Sequence, residues 1–116
     1  MNPAFLRRFA ILCGVLFVAA CSGAEPEYVE RPIGELYNEA MDQLVAGDFF
    51  NASRNFDEVE RQHPYSIWAI KSKLMAAFTY YSANKYDEAI LAAQRFAELH
   101  PGNRDVPYAY YLIALS

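Results

Sequence analysis

Apolar residues fall into five stretches with the spacing of one helical face, separated by short breaks that carry Gly, Asn or Pro. The first runs from Ile33 to Ala46, with Leu36, Tyr37, Ala40, Met41, Leu44 and Val45 on one stripe. Gly47 follows as a left-handed C-terminal cap, and Asp48 is placed to cap the next helix. That helix carries Phe49, Ala52, Phe56 and Val59 and ends before Pro64. Leu74, Ala77, Phe78 and Tyr81 mark a third, with Asn84 standing where Gly47 stood. Tyr86, Ala89, Ile90, Ala93, Phe96 and Ala97 mark a fourth, ending before Pro101. A fifth opens near Asp105 and Pro107 and is still apolar at Leu112, Ile113 and Leu115. The pattern predicts an all-α chain.

The stretches repeat. Ala40 to Ala77, Phe49 to Tyr86, Ala52 to Ala89, His63 to His100 and Pro64 to Pro101 are all steps of 37 residues, and the next step from Ala77 lands on Ala114. A fixed period of this size signals stacked helix pairs, here 33–64, 68–101 and a partial third from 105. Two antiparallel helices approach closely only where side chains are small, which suits Ala40, Ala52, Ala77 and Ala89. The units resemble the tetratricopeptide repeat, a helix-turn-helix solenoid. Its small-residue, Gly-Asp-Tyr-type, Ala and Pro positions match Ala40, Gly47-Asp48-Phe49, Ala52 and Pro64. The second copy has Asn84 for the Gly and lacks the bulky residue at Ala93. Stacked repeats usually need three or more units and a polar cap. Stopping at Ser116 in an apolar helix, the sequence reads as the N-terminal part of a longer protein, expected to be marginal or aggregation-prone alone.

Residues 1–20 read as a cleavable export signal: Arg7-Arg8, an apolar run from Phe9 to Val18, then Ala19-Ala20 before Cys21. The uncharged run from Phe9 to Ala24 has 16 residues, short of the roughly 20 that span a bilayer. Val18-Ala19-Ala20-Cys21 resembles the bacterial lipobox, with Val18 where Leu is usual and Ser22 after the Cys. That resemblance implies a lipid on Cys21 as the new N-terminus. Cys13 leaves with the signal, so no disulfide is expected in spite of an oxidising compartment. Residues 21–32, polar and acidic, read as a tether from the lipidated Cys to the repeats.

Without residues 1–20 the chain has 8 basic against 14 acidic residues, so no nucleic-acid partner is expected. No metal or cofactor motif, phosphate loop or nucleophile elbow is present, and no catalytic residue is nominated. His63 and His100 precede Pro at equivalent helix ends and read as turn residues. Asp57, Glu58 and Glu60 read as a solvated face. If Pro64 and Pro101 close the units, the first helix of each lines an inner groove. The groove-facing set is then Tyr37, Met41, Lys71, Leu74, Phe78, Tyr81, Tyr108 and Tyr111. Leu74 and Phe78 are equally readable as core between repeats. The tyrosines, whose hydroxyls seek partners, suit a surface that grips an aromatic or apolar peptide.

The lipobox, the tether and the strings Tyr28-Val29-Glu30-Arg31-Pro32, Phe56 to Ser66, Tyr86-Asp87-Glu88-Ala89-Ile90 and Tyr108-Ala109-Tyr110-Tyr111 resemble the BamD family. These are tetratricopeptide lipoproteins of the outer-membrane β-barrel assembly machinery. The resemblance implies a non-enzymatic scaffold, lipid-anchored at the periplasmic face of the outer membrane. It implies binding to the C-terminal signal of unfolded barrel proteins, and the barrel-forming subunit and other lipoproteins as partners. The second reading is a periplasmic tetratricopeptide lipoprotein that adapts cell-wall or division proteins.

Overall fold

The computed structural model describes residues 29–116. The export signal and Cys21 lie outside that range. The described residues form five helices and no strand: α1 (Ile33–Val45), α2 (Phe49–Gln62), α3 (Ile67–Ser82), α4 (Tyr86–Leu99) and α5 (Val106–Leu115). The all-helical expectation and the element order hold.

Local chemistry sets the boundaries. Gly47 sits at φ +79° and Asn84 at φ +59°, so each helix pair turns through a left-handed residue at the same repeat position. Asp48 caps α2 by accepting from the Asn51 backbone N–H at 3.3 Å, and Ser66 caps α3 through Ala69 N–H at 3.0 Å. Pro107 lies in the first turn of α5, where its missing N–H is not needed. His63 and His100 end α2 and α4 with nearly identical backbone angles.

Consecutive helices pack on each other, α1 on α2 through α4 on α5. The first helices of successive units also touch, α1 with α3 and α3 with α5, whereas α2 and α4 do not. One layer of helices is thus drawn together and the other splayed, which places α1, α3 and α5 on the inside of the curve.

Ala40, Ala52, Ala77 and Ala89 have no exposed surface, as close helix contact requires. One core cluster joins Ala40, Ala52, Phe56 and Ala76, and another joins Leu74, Ala77, Ala93, Phe96, Ala109 and Leu112. Each therefore ties one unit to the next.

The structure refines the sequence reading at three places. Val45 is 84% exposed, because the last residue of α1 points away from α2 beside the turn. Ala114 is exposed although Ala40 and Ala77 are not, since among the described residues no helix follows α5 to cover it. Asp57 is exposed and Glu60 partly so, and both also reach across to α3. Tyr80 donates its hydroxyl to Asp57 at 3.4 Å, and Glu60 pairs with Lys73 of α3 at 2.9 Å. Partial enclosure, with Glu60 nearby, raises the Asp57 carboxyl above its ordinary value.

Candidate peptide-binding site

The inner layer carries two groups of aromatic side chains. At the N-terminal ends of α1 and α3, the Tyr37 ring meets Trp68 at 4.8 Å and Phe56 edge-on at 5.7 Å. The Lys71 ammonium lies 4.7 Å from the centre of the Trp68 ring. Tyr37 is half-buried, and desolvation raises its phenol pKa. Sequence reasoning missed Trp68. It is the chain's single Trp, one helical turn before Lys71, and that spacing was the available signal.

The second group spans α3 and α5. The Tyr108 and Tyr111 rings lie 6.3 Å apart, tilted at 34°, and leave 41% and 56% of their surface exposed. Burial raises the Tyr108 phenol, and the neighbouring Tyr111 and Tyr81 add to the shift. Tyr81 is partly buried on the second core cluster and lies 5.8 Å from the ring of Tyr86.

The remaining members of the sequence-derived set are less available. Leu74 is 9% exposed and belongs to the core between α3, α4 and α5, so it offers little free surface, all of it at the floor of a cleft. The reason is register: Leu74 stands one 37-residue step from Tyr37, but α5 closes over it. Phe78 packs on the same cluster and Met41 on the first, each only partly exposed. Ile67, Ile70, Lys71, Leu74, Asn103 and Arg104 line a shallow cleft of about 250 Å³. An aromatic or aliphatic side chain fits such a lining. Lys71 and Arg104 are the cations beside it, and Arg104 lies 3.7 Å from Asp105.

The two histidines stand at equivalent helix ends. His63 shares a 2.9 Å hydrogen bond with the Arg31 carbonyl. The His100 ring lies 5.6 Å from Phe96, and its Nε2 is buried without a hydrogen-bond partner. Among the described residues no group of three His, Cys, Asp or Glu is placed to hold a metal ion, and no helix is long and apolar enough to cross a membrane.

Residues 30–116 match the protein family described as outer membrane lipoprotein. The chain is 45% identical over 102 residues to the outer membrane protein assembly factor BamD of Caulobacter vibrioides, covering 84% of this chain and 33% of that protein. It is 33% identical over 106 residues to BamD of Rickettsia prowazekii, covering 91% and 42% respectively. Against BamD of Pasteurella multocida it is 30% identical over 112 residues, covering 96% and 43%. The chain thus spans between a third and about two-fifths of the length of these curated relatives. On the match to residues 30–116, the chain belongs to the outer membrane lipoprotein family, whose similar members here are BamD assembly factors.

Proposed function

We propose that the chain is a non-enzymatic scaffold that helps assemble β-barrel proteins into the outer membrane by holding their C-terminal signal. The observation that carries this reading is the row of partly exposed aromatic rings on one helical layer: Tyr37, then Tyr81, Tyr108 and Tyr111. Rings held this way supply apolar area with little side-chain entropy to lose, and their hydroxyls can take up the peptide backbone. Membership in a family whose relatives are named outer membrane protein assembly factors supports the same reading. In it the client is an unfolded barrel protein with an aromatic C-terminal residue. The partners are the barrel-forming subunit and other lipoproteins of the machinery. Cys21 carries the lipid that holds the chain at the periplasmic face of the membrane.

The test is binding of a labelled peptide that ends in Phe, followed by anisotropy. Tyr81→Ala and Tyr111→Ala should each weaken it about fivefold or more, the scale of an interface anchor. Unchanged affinity in both variants, or after deletion of the terminal Phe, would remove the groove from the account.

A further inference from the structure

The segment that enters α1 is clasped. Gln62 Oε1 accepts from the Arg31 backbone N–H at 2.7 Å, and His63 Nε2 meets the Arg31 carbonyl at 2.9 Å. Two consecutive side chains at the end of α2 thus hold both backbone groups of one residue. Gln62 also donates to the Val29 carbonyl at 3.3 Å. The Arg31 guanidinium pairs with Glu35 at 2.7 Å and Glu39 at 2.6 Å, on the first two turns of α1. The tether therefore leaves the domain from a fixed point beside the His63-Pro64 turn.

That same edge exposes large apolar side chains. Tyr65, in the turn, is fully exposed, and Val29 and Ile67 are 65% and 67% exposed. Trp68 follows at 36%. Such side chains, in a row, belong at the boundary between water and acyl chains. Val29 lies eight positions after Cys21, a reach of at most about 28 Å for an extended chain. A lipid on Cys21 would keep this edge within that distance of the bilayer.

We propose that the edge formed by Val29, Tyr65, Ile67 and Trp68 rests on the lipid surface, so that tether and edge together set how the groove is presented to the periplasm. The proposal rests on the reading of Cys21 as the lipid carrier. At this edge Arg104 lies 3.7 Å from Asp105, Lys71 lies over the Trp68 ring, and the acidic Glu30 follows Val29 in the chain, so the charges offset in number. The attachment is therefore apolar, indifferent to salt and to anionic lipid.

Trp68 is the only Trp of the chain, which makes it the reporter. The full chain, produced in a Gram-negative host, is placed on phosphatidylcholine vesicles with or without bromine on the acyl chains. Brominated lipid should quench Trp68 emission, equally in low and high salt. Tyr65→Ser and Ile67→Ser should reduce the quenching. In a sample lacking the acyl groups, each should lower vesicle partition roughly tenfold. Mass spectrometry reads the acylation of Cys21 separately. An acylated chain whose Trp68 stays unquenched overturns the edge and leaves the tether standing. If acyl groups are absent, the tether reading fails, and quenching of the unacylated chain at high lipid still decides the edge. Trp68 unquenched on vesicles but shielded in native outer membranes would assign the edge to a protein and overturn the proposal.

Discussion

The two complete helix pairs, α1–α2 and α3–α4, follow one plan and fill it differently. Phe56 of the first pair and Ala93 of the second share a repeat position, and both are fully buried. Phe56 packs beside Ala76, whereas Ala93 belongs to a cluster against which Ile113 packs, and Ile113 stands one repeat step after Ala76. The bulk has moved across the interface. One turn further along, Val59 and Phe96 are equivalent and both buried, so the second pair carries its phenyl ring there. The lesson is that the repeat conserves volume at an interface and not side-chain identity at a position.

The largest test of this comparison is truncation. Phe56→Ala and Phe96→Ala should each cost about 3–5 kcal/mol in urea unfolding, since each ring joins one unit to the next. Ala93→Phe should cost about 1–3 kcal/mol by overpacking, and adding Ile113→Ala should recover much of that loss. Simple additivity of the two changes would refute the exchange of bulk.

The turns come next. Gly47 and Asn84 are both left-handed, and a Cβ at Gly47 would meet nothing within 4 Å. Gly47→Ala therefore pays only for backbone strain, about 1–2 kcal/mol, whereas Asn84→Gly should be close to neutral or stabilising by thermal midpoint. The caps differ as well. Asp48 bonds the Asn51 N–H, while Lys85 at the equivalent place makes no cap bond. Asp48→Ala should lose about 1 kcal/mol and Lys85→Asp should gain up to a similar amount.

The smallest effect is on pH. Glu39 and Glu58 are held below their ordinary value of 4.5, Glu39 chiefly by the Arg31 hydrogen bond and Glu58 by that to Arg61. Carboxylates with lowered pKa stabilise the fold above the ordinary value and lose that contribution as pH falls through the lowered one. Protection factors for hydrogen exchange in the first turns of α1 should therefore fall as pH drops below about 4.5, and Glu39→Gln should flatten the response. Asp57 has the opposite sign. Its raised pKa penalises the charged form, so Asp57→Asn should slightly raise stability at neutral pH.

Much of the plan is legible in the sequence because it rests on short-range rules. Helix spacing, a left-handed residue after each first helix and small residues at the crossing all act within a few positions, so Gly47, Asn84 and the four buried alanines could be named in advance. The groove is legible only in part. Tyr37, Tyr108 and Tyr111 carry rings on the predicted layer with surface to spare, yet Leu74, at the repeat position of Tyr37 and Tyr111, is core. A periodic rule assigns the same fate to each copy. Burial depends on which neighbour arrives, and α5 covers Leu74 while Tyr111 stays more than half exposed.

The sequence alone therefore determined the elements, their period and the family, since these are properties of spacing and of strings. Tertiary structure decided which side of each helix is used. It gave Asp57 and Glu60, on a partly solvated face, contacts with Tyr80 and Lys73. It joined Trp68 to Tyr37 across 31 residues, and fastened Arg31 to Gln62 and His63. Those pairings lie between residues whose separation carries no periodic signal. Only the packing of one helix on another brings them within hydrogen-bonding or ring-contact distance.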